Sequence, residues 1–251
     1  NKFPLYIWPL PFEENTQLVD IHVYVCDDCG YIQLQNMNDE IISSIYRDEA
    51  FNIENRNQKL GRLKLMLIEN GLKFEKTKVL EIGGGRNTFL GILPNSSEKW
   101  VADFSIDEDV QSKVEGAFEG DFVDIEITQK DFDYIFMFHV LEHFNDPGSA
   151  LKKAKKLLNS EGKIIIEVPN FGYESEYRPD YTFFHMHISL FTQTSLVSLM
   201  MRHGFSCSNL FKEDEVLLAE FSLGGTALPQ NHLEDSLKYL SNVESNISKC
   251  H

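Results

Sequence analysis

A glycine triplet and the acidic residues around it carry the first chemical signal in the chain. Gly83, Gly84 and Gly85 follow the apolar run at residues 79–82, where a buried strand would turn sharply and let backbone approach a ligand. Gly83 and Gly85 fill the first two places of a dinucleotide-binding G-x-G-x-x-G pattern, but Thr88 holds the third. Glu81 stands two residues before Gly83. A carboxylate there would repel a pyrophosphate and would suit a ligand ammonium. Asp103 ends the next apolar run, where a carboxylate can take two ribose hydroxyls, and Phe104 follows it. Asp121 and Phe122 lie beyond a third run, the acid placed to accept from an adenine amino group and the ring to lie against the base. Acid for an ammonium, acid for a ribose, and acid with aromatic for adenine describe S-adenosylmethionine (SAM) rather than NAD. The competing reading, a glycine turn needed only for close helix–strand packing, does not account for the ordered set of three.

These side chains meet only if several elements end at one edge. Residues 1 to about 50 are irregular, with Pro4, Pro9 and Pro11, and then an alternating strand at 21–25. Leu60, Leu63, Leu67 and Ile68 predict a helix over 56–72, stopped at Gly71. From Lys76 the pattern becomes strands at 78–82, 99–104, 132–138 and 163–168, separated by helices. One helix opens at Thr88. A second starts at Asp146-Pro147, an N-cap with Pro at N1, and buries Ala150, Leu151, Ala154, Leu157 and Leu158. Lys152, Lys153, Lys155 and Lys156 fall on its wet side, and Gly162 ends it. A helix at 192–203 stops at Gly204, and strands at 205–211 and 216–223 close an antiparallel edge hairpin. Strict alternation of this kind predicts an α/β, Rossmann-like, mostly parallel sheet with ligands beyond the carboxyl ends of its strands. The expected division is an N-terminal segment (1–50), a main domain (51–228) and a helical tail (229–251) carrying Leu233, Leu237, Leu240 and Val243.

Composition narrows the partners. The 251 residues are 42% hydrophobic and 25% charged, ordinary for a globular protein able to bury a full core. The formal net charge of −16 opposes nucleic-acid polymers and anionic membranes as partners, though not a small anion held by local donors. No apolar run reaches the roughly 18 residues that span a bilayer, and nothing at the start reads as a signal peptide. Four unevenly placed cysteines fit a reducing cytoplasm better than a disulfide-stapled fold.

Leu80-Glu81-Ile82-Gly83-Gly84-Gly85, Val101-Ala102-Asp103-Phe104-Ser105, and Phe132-Asp133-Tyr134-Ile135-Phe136-Met137-Phe138-His139-Val140-Leu141-Glu142-His143 occur in that order, followed by Asp146-Pro147 and Glu167-Val168-Pro169-Asn170. Over roughly residues 76–223 the chain therefore resembles the class I SAM-dependent methyltransferases, especially the bacterial group acting on sugars, quinones and other small metabolites. The resemblance implies a seven-stranded sheet, SAM as cofactor, and His139 and Val140 as SAM neighbours. Phe184-His185-Met186-His187 is similar to the Tyr-His-Glu-His segment of nucleotide-sugar C-methyltransferases, with Met186 in the place of the Glu. Methylation at carbon needs a well-supported base, so the departure favours O- or N-methylation. There one neutral imidazole near working pH can take the proton as the methyl arrives. His187, His185 and His143 are the candidates for that base, and each could instead be a hydrogen-bonded packing residue.

The expected acceptor is a small molecule bearing a hydroxyl or amine, most simply a sugar or sugar nucleotide of surface-polysaccharide or secondary metabolism. Tyr173, Tyr177 and Tyr181 suit stacking on it and Arg178 suits a phosphate, although the aromatics could equally form a small lid core. The alternatives are a quinone or lipid-like acceptor, a metal-dependent O-methyltransferase, and a non-catalytic SAM-binding protein. For the metal reading, His139, Glu142 and His143, joined by His185 or His187, offer nitrogen and oxygen ligands. That set is similar to the one in metal-dependent small-RNA 2′-O-methyltransferases, with His139 in the place of a Glu. Cys26-x-x-Cys29-Gly30 has the form of half a zinc knuckle, with His22 as a third donor; a structural zinc and two reduced thiols are both open. A monomer or homodimer is expected.

Overall fold

The computed structural model describes residues 22–35, 63, 65–86, 88–177, 183, 187–211, 214–225 and 232–247, with the backbone alone at 2–4 and 18–20. The first strands are β1 (Lys2–Pro4) paired with β2 (Leu18–Asp20), and the hairpin β3 (Val23–Val25) with β4 (Ile32–Leu34). The main sheet is built from β5 (Lys78–Ile82), β6 (Glu98–Asp103), β7 (Gly116–Glu119), β8 (Phe132–Phe138), β9 (Leu158–Pro169), β11 (Phe205–Phe211) and β12 (Val216–Leu223). Between β9 and β11 lies the short β10 (Ser189–Leu190). The helices with both ends among the described residues are α1 (Glu108–Gln111), α2 (Pro147–Leu157), α3 (Phe171–Tyr177), α4 (Gln193–Arg202) and α5 (Leu233–Ile247), and residues 65–69 are helical as well.

The sheet order is β11-β12-β9-β8-β5-β6-β7. The five strands from β9 to β7 are parallel, and β12 enters antiparallel to β9. This is the class I methyltransferase arrangement, with the expected edge hairpin. Because β5 has β6 on one side and β8 on the other, the chain reverses its direction of growth there. That reversal opens a crevice at the carboxyl ends of β5, β6 and β8.

Period-two alternation divides the core between the two faces of the sheet. Leu80, Ile82, Ile135, Met137, Ile164 and Ile166 pack on one face, where α2 and α4 add Leu151, Leu157, Leu196 and Met200. Val79, Val101, Phe136, Phe138, Ile165 and Leu218 pack on the other, with Leu63, Leu67, Phe74 and Phe89. Asp146 caps α2 by accepting from the Ser149 N–H at 3.1 Å, and Pro147 is its first residue. Thr192 and Ser195 form a reciprocal capping box for α4.

Four local expectations change. The helix expected from Thr88 is a single 3-10 turn, Phe89–Ile92. The Glu81 carboxylate beneath it takes the N–H groups of Phe89 and Leu90, and Pro94 follows Leu93, so the turn cannot extend. Strand β9 begins at Leu158, so Gly162 lies inside a strand rather than ending α2. Lys153 bends back from the wet side to reach the Val123 and Ile125 carbonyls. Ile68 is exposed, whereas Leu63 and Leu67 are buried.

A third cluster joins pieces distant in sequence. Strand β10 pairs with β4, and Ile32, Leu34, Leu190, Phe171 and Val243 pack together. Helix α5 lies along α3, with Tyr239 edge-on to Phe171 at 6.2 Å between ring centroids. Buried Ser236 donates its hydroxyl to the Gly30 carbonyl. The Ser236→Ala/Val243→Ala double variant removes that donor and two buried methyl groups. It is expected to lose about 2–3 kcal/mol of unfolding free energy in urea denaturation. A loss below about 0.5 kcal/mol would show that the tail does not add to stability.

Candidate active site

The glycine turn closes against its own neighbours, leaving no room for any side chain. The Gly83 N–H donates to the Ala102 carbonyl at 2.8 Å, and φ of +84° places Gly83 in the left-handed region. A Cβ there would lie 2.1 Å from Val140 Cγ2; at Gly84 it would lie 2.7 Å from Glu81 Cδ, and at Gly85 2.0 Å from the Ser105 carbonyl oxygen. The Gly85 N–H donates to Asp103 Oδ2 at 2.7 Å. The ends of β5, β6 and β8 are thereby drawn into one junction, containing Gly83, Gly85, Asp103 and Val140.

Two residues assigned to the ligand are placed differently. Glu81, expected to meet an ammonium, is buried and turned inward. It accepts from the Thr88 hydroxyl and from the N–H groups of Phe89 and Leu90 at 3.2 and 3.3 Å, supporting the turn from below. Phe122, expected against adenine, is 3% exposed in the core, edge-on to Phe144 and beneath the Lys153 ammonium at 5.1 Å. Asp121 accepts from the Val123 N–H at 2.8 Å in its own turn. The aromatic presented at this edge is Phe104, 63% exposed directly after Asp103.

His139 follows β8 with φ of +54°, a conformation costly for a residue with a Cβ and concentrated at functional sites. Glu167 holds it there twice. Its carbonyl accepts from the His139 N–H at 2.8 Å, and its Oε1 lies 3.0 Å from Nε2. The other ring nitrogen, Nδ1, lies 3.4 Å from Glu142 Oε1. Partial loss of water around the ring, which stays 41% exposed, opposes the imidazolium, but the flanking Glu142 and Glu167 carboxylates outweigh it and raise the His139 pKa to about 10. Burial likewise opposes the Glu142 charge, and His143, His139 and His187 reverse the balance and lower its pKa to about 2. Glu142 and His143 lie in the 3-10 turn Leu141–His143, and the His143 ring is 5.2 Å from the His187 ring. His187 is positioned by the small sheet beside it: the Leu34 N–H donates to the Ile188 carbonyl at 2.8 Å, and Tyr31 hydrogen-bonds to Ser189.

Next to this cluster is a cleft of about 760 Å³ whose wall includes His139, Glu167, Asn170, Tyr173, Phe211 and Tyr239. Tyr173 lies in its wall. Tyr177 is exposed and packs on Tyr173 with 4.8 Å between ring centroids. Arg178, Tyr181 and His185 lie outside the described residues. Glu167 and Tyr239 were not singled out from sequence as site residues. A Glu at the carboxyl end of a core strand was a usable signal for the first; nothing local pointed to the second.

A family profile described as a methyltransferase domain matches residues 53–209, more than half of the chain. The chain belongs to the class I SAM-dependent methyltransferase family. Solved structures agree on the fold. The O-methyltransferase NcsB1 of neocarzinostatin biosynthesis, solved with SAM and 2-hydroxy-5-methyl naphthoic acid, superposes with a TM-score of 0.55 at 14% identity, covering 73% of this chain and 61% of its own. A Haloferax volcanii complex of the Trm112 methyltransferase activator with a methyltransferase gives 0.53 at 12% identity, covering 71% and 99%. The pyocyanin biosynthetic protein PhzM gives 0.51 at 14% identity, covering 65% and 55%. This chain thus spans a little over half the length of PhzM. No curated protein sequence matches it.

In this family member, Cys26 and Cys29 lie in the turn of the β3–β4 hairpin, closed by the Gly30 N–H to the Cys26 carbonyl at 2.7 Å. A hydrogen bond from Cys29 lowers the Cys26 thiol pKa, and burial raises that of Cys29. Both are free thiols, and among the described residues no third His, Cys, Asp or Glu joins them in a metal-donor group. No helix among the described residues is long and apolar enough to cross a membrane.

The Gly83–Val140 contact makes a direct prediction. Gly83→Ala is expected to weaken binding of the demethylated cofactor, S-adenosylhomocysteine, by at least about tenfold in calorimetry. Gly83→Ala/Val140→Ala should recover part of that loss, because the clash is relieved while the backbone strain remains. A double variant no better than the single one would remove this contact as the cause.

Proposed function

We propose that the protein transfers the methyl group of SAM to a hydroxyl or amine of a small ring-shaped acceptor held in the cleft beside His139. The observation that carries this reading is the position of the cleft. It adjoins the carboxyl ends of β8 and β9 through His139 and Glu167, and Val140, the residue after His139, faces Gly83 at the junction that Asp103 and Phe104 complete. In the reaction the acceptor lone pair attacks the methyl carbon, the carbon–sulfur bond breaks with its electron pair kept by sulfur, and the acceptor loses a proton. Alignment of acceptor, carbon and sulfur supplies most of the rate enhancement. The group that activates the acceptor is the Glu142–His143–His187 set, whose histidines suit the proton's departure; His185 stays a candidate from sequence.

The lining also bears on the acceptor. Tyr173 and Tyr239 offer ring faces, and Glu167, Asp214 and Glu215 offer carboxylates. No Lys or Arg belongs to the cleft wall among the described residues. A neutral or amine-bearing ring, such as a sugar, an amino sugar or a phenol, fits this wall better than a nucleotide-linked sugar with its phosphates. The neighbour NcsB1, an O-methyltransferase solved with a hydroxylated aromatic acid, supports an acceptor of this size.

Calorimetry with SAM and S-adenosylhomocysteine should show binding of both, and binding of neither would end this reading. In a panel of amino sugars, phenols and sugar nucleotides assayed with radiolabelled SAM, turnover should favour the first two. Exclusive turnover of sugar nucleotides would overturn the acceptor assignment. His187→Ala is expected to lower kcat by about 10²–10⁴-fold while leaving the SAM dissociation constant within about twofold.

A further inference from the structure

The Glu142 carboxylate is fully buried, and neither of its oxygens has a hydrogen-bond partner. A carboxylate removed from water in that way needs a cation or donors to compensate it. His139 approaches Oε1 at 3.4 Å but makes its shorter contact, 3.0 Å, with Glu167. On the other side stand His143, whose Nε2 is 3.8 Å from the same Oε1, and buried His187. One donor atom from each of Glu142, His143 and His187 lies within 4.8 Å of the other two. Ligands about 2.1 Å from a tetrahedral metal are about 3.4 Å apart, so small side-chain rotations bring the three to bonding distance.

We propose that Glu142, His143 and His187 bind one divalent transition-metal ion of the zinc, manganese or cobalt type. Two imidazole nitrogens and one carboxylate oxygen are the donor set for such an ion, and three protein ligands leave a coordination position for the acceptor. The ligands come from two supports that the fold keeps together. The Leu141–His143 turn carries two, and the segment joined to β4 carries the third, with β10 packed on that turn. His143 is 21% exposed and gives the set its opening to solvent. The chemistry of this site rests on the methyl-transfer reading above; the binding of the ion does not. Such an ion would supply Lewis-acid stabilisation of an acceptor oxyanion, and the acceptor proton would leave to water on the partly exposed His143 side. Methyl transfer to that oxygen would form the ether carbon–oxygen bond as the carbon–sulfur bond breaks, giving S-adenosylhomocysteine with no change of oxidation state. With the ion held, His143 and His187 would be its ligands instead of proton acceptors, and a His187 substitution would lower turnover through loss of the ion.

The full chain, stripped with chelator and dialysed against Co2+, should retain about one equivalent and show the visible ligand-field absorption of a nitrogen–oxygen site. His187→Ala and His143→Ala should each weaken retention by more than about tenfold, and Cys26→Ser/Cys29→Ser should keep it. Should Glu142→Gln or His187→Ala fail to fold, the partly exposed His143→Ala decides. A folded wild-type chain that retains none of Co2+, Zn2+ and Mn2+ overturns the proposal, as does metal lost in the cysteine variant and kept in the histidine variants. Calorimetry with S-adenosylhomocysteine on the same samples separates the two readings. Cofactor binding without metal defeats only the metal site, and metal without cofactor binding defeats the methyl-transfer reading.

Discussion

The double attachment of His139 to Glu167 is the constraint from which the rest of the cleft follows. The backbone bond extends the β8–β9 pairing one residue past the end of β8, and the side-chain contact holds the ring at the cleft wall. With φ at +54°, the chain must leave β8 along a sharply altered path. That path places Val140 on Gly83 and sends Glu142 into the interior. The glycine at 83 is therefore required by a protein side chain. The turn expected to approach a ligand first approaches β6 and the residues after β8.

The charge distribution is consistent with a cationic methyl donor. A chain of net charge −16 with Glu167, Asp214 and Glu215 at its cleft favours the positive sulfonium of SAM over its neutral product. The same field disfavours a phosphate-bearing acceptor unless groups beyond the described residues offset it. Glu142, like Glu81, departs from the surface pattern because it is internal, and it faces imidazoles.

The small third cluster shows why a chain with a complete seven-stranded sheet carries additions at both ends. The β3–β4 hairpin adds β10 as a third strand, and α5 covers the same cluster through Val243, Tyr239 and Leu240. His187 lies two residues before β10, so its position depends on that pairing. The N-terminal and C-terminal additions thus meet in one cluster beside the segment that carries His187, though they are far apart in sequence.

Local signals were enough for much of the fold. The strand–helix alternation, the Asp146-Pro147 start of α2, the Thr192 start of α4 and the closing hairpin were all legible, because periodicity and cap chemistry depend on neighbours in sequence. The Gly83–Gly85 turn and Asp103 were legible for the same reason. What the sequence by itself determined was the element order, and with it the edge where a ligand binds. The tertiary structure alone decided which way side chains at that edge point. Glu81 turned inward because the N–H groups of Phe89 and Leu90 lay within its reach, and Phe122 entered the core while Phe104 stayed outside. Tyr239 reached the cleft from a helix near the C-terminal end of the sequence, far beyond His139. The resemblance offered either His185 or His187 as a companion to Glu142 and His143, and the fold is what brings His187 to them. Their contact spans more than forty residues of chain, and no spacing rule acts over that distance; only the pairing of β10 with β4 brings them together.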